Sequence, residues 1–451
     1  MHDQPEPAVT EVSEILSLNR FDPRTAEGLD PDVASLVARR AASFGASSVL
    51  FYQQPLHIVR ARGVWMYDAQ DRAYLDVYNN VPSVGHCHPR VVDAISRQAA
   101  TLATNTRYLY NVVHDYAERL IATFPAALSN VVFTCTGSES NDLALRMAKR
   151  FTGGSGFIVT NTAYHGNTAA VMEISPSSFP DRKVPAHVRT VAPPDAYGAP
   201  TDDVGARFAA DVQAAIADLQ AHGIRFAGLV VDSIFSSDGI FADPRGFLKP
   251  AVEAVRAAGG VFIADEVQPG FGRTGLAMWG HQRHGVEADI VTMGKPMGNG
   301  FPMGGVVTRP EILDPFCEET GYFNTFGGNP VAAAAGMAVL DVIEDEGLMQ
   351  NAHEVGEHLR AGLRELMADH PGIGDVRGAG LFTGVEFSRP GTREPDRAAA
   401  TYVINAMKEQ GVLVGAAGAH GNTLKVRPPL CFTRDNAEYF IDVLTRVLTA
   451  R

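Results

Sequence analysis

Between residues 131 and 308 the chain repeats one pattern: a short apolar, β-branched run, then a longer stretch of helical texture. The runs span 131–135, 156–160, 227–231, 260–264, 289–293 and 305–308. Apolar runs of this length, without polar alternation, fit strands buried on both faces. Helices between them can cover those faces only if the sheet is largely parallel, so the expected fold class is α/β. The Ala-rich stretch 330–343 reads as a further helix packed closely against its neighbours.

The flanks have a different texture. Short strands at 58–59, 64–68 and 73–76 are joined by turns at Arg62-Gly63 and Gln70-Asp71, and helical patterns follow around 90–102 and 114–124. Strand-like texture returns at 375–387 and 423–427. Length alone allows roughly three domains. The texture divides the chain into an N-terminal arm (1–45), a large domain (96–344) and a smaller α+β domain built from both ends (46–95 and 345–451). Residues 1 to about 30 carry Pro and acids with few aromatics, as a solvated arm does.

Composition excludes several classes. With 45% hydrophobic and 20% charged residues the chain can bury a core and is no disordered or disulfide scaffold. Thirty-eight Lys and Arg against 51 Asp and Glu leave a net charge of −13, which argues against a nucleic-acid partner. No window reaches the ~18 apolar residues of a membrane span. Cys87, Cys135, Cys317 and Cys431 form no C-x-x-C pair, and the N-terminus lacks the basic and apolar regions of a signal peptide. A cytoplasmic protein is expected.

In open α/β sheets ligands bind beyond the carboxyl ends of the strands, so the residues after each run are where chemistry is sought. The first run is followed by Thr136-Gly137-Ser138-Glu139-Ser140-Asn141, small hydroxylated residues opening a helix. Such a helix end can hold a phosphate, though Ser and Asn are also ordinary caps. Ala163-Tyr164-His165-Gly166 follows the second run, and plain loop packing would explain it equally well. Asp265-Glu266-Val267-Gln268 places acids at the end of an apolar strand, where they need a cation, a metal or solvent. Gly294-Lys295-Pro296-Met297-Gly298-Asn299-Gly300 sets one lysine in an apolar, glycine-rich surround, where desolvation makes it a candidate Schiff-base nucleophile. A phosphate cradle, an aromatic plate, a carboxylate and an imine-forming lysine together suit pyridoxal phosphate, with Asp265 keeping the pyridine nitrogen protonated and Lys295 holding the aldehyde.

Two motifs are set aside. Gly270-Phe271-Gly272-Arg273-Thr274-Gly275 satisfies G-x-G-x-x-G, but it follows Gln268-Pro269 and opens no helix, so nicotinamide binding is not expected. His86-Cys87-His88 consists of consecutive residues that seldom converge on one ion, and no metal site is expected.

From about Leu56 to its end the chain resembles the class III pyridoxal-phosphate aminotransferases, of fold type I. The matching segments are 84–89, 136–141, 163–166, 263–273, 289–300 and Asn324-Thr325-Phe326-Gly327-Gly328-Asn329-Pro330. The resemblance implies a large domain with a mainly parallel seven-stranded sheet, a smaller α+β domain from both chain ends, and a homodimer with shared active sites. Position by position, it implies that Lys295 carries the cofactor and Asp265 pairs with its ring nitrogen. Gly137 and Ser138 would bind the phosphate, Tyr164 would stack on the ring, Val267 would pack on the other face and Gln268 would reach the ring hydroxyl. Thr325 would reach the phosphate in the neighbouring subunit.

Within that family the chain looks most like the phospho-lyases acting on ethanolamine phosphate. This likeness rests on Tyr78-Asn79-Asn80-Val81, Asn105-Thr106-Arg107-Tyr108-Leu109, Ile174-Ser175-Pro176, 292–298 and Leu424-Lys425-Val426-Arg427-Pro428-Pro429. Many family aminotransferases place an arginine three residues before the Pro-Pro pair to grip a substrate carboxylate. Lys425 stands there in this chain, and a lysine lacks the planar fork for bidentate recognition. Phosphoethanolamine has no carboxylate to grip. The implied substrate is a small phosphorylated amine, with Arg107 as the candidate phosphate ligand and Tyr78, Asn79, Asn80 and Lys425 as further substrate-side candidates. An ω-amine or β-amino acid aminotransferase using a keto acid, and a phospho-lyase acting on 5-phosphohydroxylysine, are the alternatives. Two departures from the family pattern are Ser140, in place of alanine, and Asp232, where the family usually has Glu.

Overall fold

The computed structural model of the protein describes residues 19–24, 28–47, 49–179, 181–200 and 203–450. Its centre is a seven-stranded sheet. The strands are β4 (Asn130–Thr134), β5 (Gly156–Thr160), β6 (Val188–Val191), β7 (Phe226–Asp232), β8 (Val261–Asp265), β9 (Ile290–Met293) and β10 (Gly304–Thr308). Their spatial order is β4-β10-β9-β8-β7-β5-β6, and only β10 runs against the others. All residues of β5, β8, β9 and β10 are buried, as expected of strands covered on both faces. The six runs read from the sequence each fall on one of these strands. The seventh, β6, is a short edge strand whose four residues, two buried and two not, carried too weak a signal.

The flanking strands are β1 (Ile58–Arg62), β2 (Trp65–Asp68), β3 (Ala73–Asp76), β11 (Ile373–Ala379), β12 (Phe382–Phe387), β13 (Val412–Leu413), β14 (Gly415–Ala417) and β15 (Thr423–Val426). They form two four-stranded sheets, β1-β2-β3-β13 and β11-β12-β15-β14. The first joins the two chain ends, with Val412 and Leu413 pairing parallel to Leu75 and Asp76.

The Ala-rich segment is the helix Pro330–Asp345, capped by Asn329. It packs tightly: a Cβ on Gly336 would lie 2.5 Å from the ring of Tyr116, on the helix Asn111–Ile121. In the expected arm, residues 1–18 lie outside the described residues. Its end forms the helix Pro31–Phe44, which the sequence reading did not anticipate. Asp30 caps it by accepting from the amides of Asp32 and Val33. Among the described residues, no helix is long and apolar enough to cross a membrane.

Because β4, β5, β7, β8 and β9 point the same way, their carboxyl ends share one edge. That edge carries the functional cavity.

Candidate active site

A cavity of about 310 Å³ opens at this edge, lined by Thr136, Gly137 and Ser138 after β4, Tyr164 and His165 after β5, and Asp232 at the end of β7. Asp265, Val267 and Gln268 follow from β8, and Lys295 from β9. Exits scattered over 160 residues of sequence thus converge because parallel strands deliver them to one place.

The helix Gly137–Thr152 starts at the cavity wall. The Thr136 hydroxyl accepts from the Glu139 amide at 3.1 Å, and the Thr136 carbonyl accepts from the Ser140 amide at 3.0 Å. Among the described residues, the amides of Gly137 and Ser138 have no acceptor, so two free donors and the positive helix end face the cavity. Gly137 is required there: a Cβ would lie 2.8 Å from Val267 Cγ2. Gly166 (φ +141°) lets the Tyr164 loop pass as closely, where a Cβ would lie 2.5 Å from the Ser138 hydroxyl. Ser140, the unusual residue of this run, is fully buried and donates to the Met293 carbonyl at 2.9 Å. It ties the helix start to the strand that presents Lys295.

Asp265 is buried and held from behind. His165 Nδ1 lies 2.7 Å from its Oδ2, and Asn141 Nδ2 donates to the same oxygen at 3.0 Å. The Val267 amide donates to Oδ1 at 3.0 Å. Asn141 is oriented in turn by Thr292, whose hydroxyl donates to its Oδ1 at 2.7 Å. The carboxylate keeps acceptor capacity for one more donor from the cavity it lines.

Lys295 is surrounded by protein, yet its side chain stands in open cavity space. Burial, and after it the charge of Arg427, push its ammonium below the usual lysine range, while Asp265 and Asp232 pull it back up. Burial pushes Asp232 up to about 6, and the neighbouring Asp265 adds to the rise. The Ile234 amide and the Ser236 hydroxyl both donate to Asp232 and oppose it.

A second chamber of about 250 Å³ shares Tyr164, Gln268 and Lys295 with the first. Its other walls are Asn19, Phe51, Tyr78, Ser237, Gly415, Ala416, Lys425 and Arg427. Arg427 Nε donates to the Tyr78 carbonyl at 2.8 Å, and its Nη1 donates to Gln268 Oε1.

The structure therefore brings together Gly137, Ser138, Tyr164, Asp265, Val267, Gln268, Lys295, Tyr78 and Lys425. It does not bring Arg107, Thr325, Asn79 or Asn80 into either cavity of this chain. The guanidinium of Arg107 sits over the exposed Phe323 ring at 4.1 Å, and Thr325 is exposed nearby. The Asn79 side chain accepts from the Val81 amide at 3.1 Å, a local turn, and Asn80 is buried with no partner for Nδ2 among the described residues. Sequence reasoning missed His165 and Asn141 as supports of Asp265, although both stood in motifs it singled out. It also left Arg427 unassigned. His86 and His88 go to different acids, Asp76 and Glu346, and no metal cluster occurs among the described residues.

The model of the aminotransferase class-III family matches residues 49–448. Ethanolamine-phosphate phospho-lyase homolog 1 of Caenorhabditis elegans is 40% identical over 92% of this chain and 93% of its own length. An alanine–glyoxylate aminotransferase 2-like protein of Drosophila melanogaster is 43% identical over 91% and 86%. Among solved structures, an Arthrobacter phospholyase in complex with phosphoethanolamine superimposes with a TM-score of 0.89 at 45% identity, over 92% of this chain and all of that one. A Bacillus anthracis aminotransferase gives 0.84 at 26% identity, over 94% and all of its chain.

Proposed function

This chain belongs to the class III aminotransferase family, and from that premise we propose that it is a phospho-lyase releasing phosphate from O-phosphoethanolamine. The fold is fold type I and the cofactor is pyridoxal 5'-phosphate. The observation that carries the lyase reading is likeness: 45% identity to a phospholyase bound to phosphoethanolamine, against 26% to a structural neighbour described as an aminotransferase.

The residues present fit the cofactor. Free amides at Gly137 and Ser138 suit its phosphate, and the spare acceptor capacity of Asp265 suits a protonated ring nitrogen. Tyr164, Val267, Gln268 and Lys295 line the same cavity, where the first two would face the ring, Gln268 its hydroxyl and Lys295 its aldehyde. When bound, the cofactor supplies an electron sink for a carbanion at the amine-bearing carbon. Lys295, whose lowered pKa favours the neutral amine, takes the proton from that carbon as general base. Asp265, braced by His165 and Asn141, holds its negative charge where the ring nitrogen carries a positive one. Cations facing the adjacent carbon stabilise the departing phosphate, which leaves with the C–O bonding pair. With water, the products are acetaldehyde, ammonia and phosphate.

We assign Arg107 and Thr325 to the interface of a homodimer. Both sit in an exposed apolar patch that includes Tyr108, Leu109 and Phe326, the last three 68%, 93% and 70% exposed. Patches of this kind mark interaction surfaces. There the two residues would serve the partner's site.

The test is to incubate the yellow holoenzyme with O-phosphoethanolamine and no keto acid, assaying phosphate and acetaldehyde. Sustained, equal release of both, lost in Lys295→Ala, is the expected result. Turnover that requires pyruvate, with no phosphate released, makes the protein an aminotransferase instead, as the name of the Drosophila relative would suggest.

A further inference from the structure

One buried acid next to the chamber wall has no part in the chemistry derived above. Asp238 is only 6% exposed and lines neither cavity. Among the described residues it makes no ion pair. Its side chain instead accepts from the Thr160 hydroxyl at 2.9 Å and from the Thr162 hydroxyl. Burial pushes its carboxyl up, while the Thr162 and Thr160 hydroxyls, and after them His165, pull it back down. Burying a carboxylate without a cation is unfavourable, so an acid kept in such a place is there to hold something.

What it holds is the root of the Tyr164 loop. Thr160 ends β5, and Thr162 stands two residues before Tyr164 and three before His165. The far end of the loop is pinned separately: the Ser175 hydroxyl accepts from the His165 amide at 3.0 Å, and Asn141 Nδ2 donates to the His165 carbonyl at 2.7 Å. Tyr164, half-buried at the cavity, lies between the two anchors. The His165 ring bonds to Asp265 through Nδ1, and its Nε2 is buried with no partner among the described residues. With one hydrogen bond to steer it, the ring stands where the loop backbone puts it.

Asp238 is in turn held firmly. Phe235 (φ +51°), Gly239 (φ +143°) and Ile240 (φ +66°) are all left-handed. That conformation is unfavourable for a bulky or β-branched residue and persists only where the surroundings enforce it. Here the Phe235 carbonyl accepts from the amides of Asp238, Gly239 and Ile240 at 3.1, 3.2 and 3.0 Å. From β11, Arg377 Nε donates to the Gly239 carbonyl at 2.9 Å, and the Gly418 amide, just past β14, donates to the Ser237 carbonyl at 3.1 Å. Ser237 lines the second chamber. Adjacent residues of one turn therefore wall the chamber and grip the loop of the cofactor cavity.

We propose that Asp238 is a positioning residue for the cofactor cavity: by holding Thr160 and Thr162 it sets where Tyr164 stands as a wall and where His165 meets Asp265. The inference goes beyond the lyase reading, since it concerns how the cofactor is held and not which reaction follows. A wall residue displaced by a fraction of an ångström loses packing contact, and a displaced imidazole loses its hydrogen bond to the acid. Asp238 acts only through these neighbours.

The experiment uses the holoenzyme without substrate and has two readouts. One is the visible circular dichroism of the bound cofactor, and the other is its loss after dilution and gel filtration, followed by absorbance. Asp238→Ala is expected to speed that loss about 10-fold and to change the dichroism band. Asp238→Asn should restore most of both, because its amide can accept from one threonine hydroxyl and donate to the other. Thr162→Val keeps the shape and removes one of the two bonds, so it should show the same signature at about 3-fold, and it carries the test if Asp238→Ala does not fold. Combining Asp238→Ala with Thr162→Val should be little worse than Asp238→Ala alone, since both break one contact. Dichroism and retention like those of the parent in Thr162→Val overturn the proposal. So does an Asp238→Asn variant as impaired as Asp238→Ala, or full additivity in the double variant.

Discussion

The two cavities that meet at Lys295 are built by opposite strategies. The larger is lined by Asp232 and Asp265, and its key acid is locked by neutral and imidazole donors behind it. The smaller is lined by Lys295, Lys425 and Arg427 and by no acid. The first is assembled mainly from the exits of five strands of one sheet, the second from segments as far apart as Asn19, Tyr78 and Arg427. The difference teaches that the part handling a fixed cofactor is satisfied internally. The second chamber, walled by cations and aromatic rings, has no such set of supports around Lys425 among the described residues.

That contrast predicts where each lesion is felt. Lys295→Ala should have the largest effect, lowering phosphate release by at least about 10²–10⁴-fold and removing the covalently held chromophore, read by absorbance after gel filtration. Asp265→Asn should follow, at about 10²–10³-fold in kcat, because it removes a charge placed to stabilise another in a dry site. Its effect should appear in cofactor retention as well as turnover. If Asp265→Asn left cofactor retention and kcat unchanged, the division between the cavities would be wrong. Gly137→Ala should weaken cofactor retention about 10-fold, within the roughly 1–3 kcal/mol that overpacking costs. Val267→Ala in the same chain should restore part of it, since Val267 Cγ2 is the atom the new Cβ meets.

The smallest effect concerns stability away from both cavities. His284 is buried against Phe247, with its Nε2 2.9 Å from the Ser233 carbonyl, and burial pushes its pKa down to about 4. The unfolded chain therefore binds more protons than the folded one between pH ~6.5 and about 4. The stability tied to a neutral His284 is complete above pH ~6.5 and declines as the pH falls through that window. His284→Gln should flatten the decline by about 1–3 kcal/mol at its acid end, measured by urea unfolding at pH 7 and pH 4.5. An identical pH profile in the variant would place the sensitivity elsewhere.

Much of the cofactor cavity was legible in the sequence for a physical reason. Gly137, Ser138, Tyr164, Asp265, Val267, Gln268 and Lys295 each end a strand or follow one within a few positions, and apolar strand runs are easy to recognise. Once the sheet is known to be parallel, Gly137, Tyr164, Asp265 and Lys295 must share an edge. What reinforces them was not legible: His165 and Asp265 are 100 residues apart, and nothing local in either says they touch. The short edge strand β6 and the helix Pro31–Phe44 were also missed, the first for want of length and the second because it directly follows the Pro- and acid-rich arm, although Asp30-Pro31 is a helix-start signal.

Arg107 illustrates the opposite limit. Motif likeness singled it out, yet in the folded chain it stacks on Phe323 at the surface. Arg427, to which the same reading gave no role, stands in the second chamber. By itself the amino-acid order determined the fold class and the chemistry at the strand exits, because burial pattern and local spacing are properties of short segments. Only the tertiary structure decided which cations line the chamber beside Lys295. That choice depends on how β15, the Tyr78 turn and the end of β8 meet, and such meetings are set by packing between distant segments.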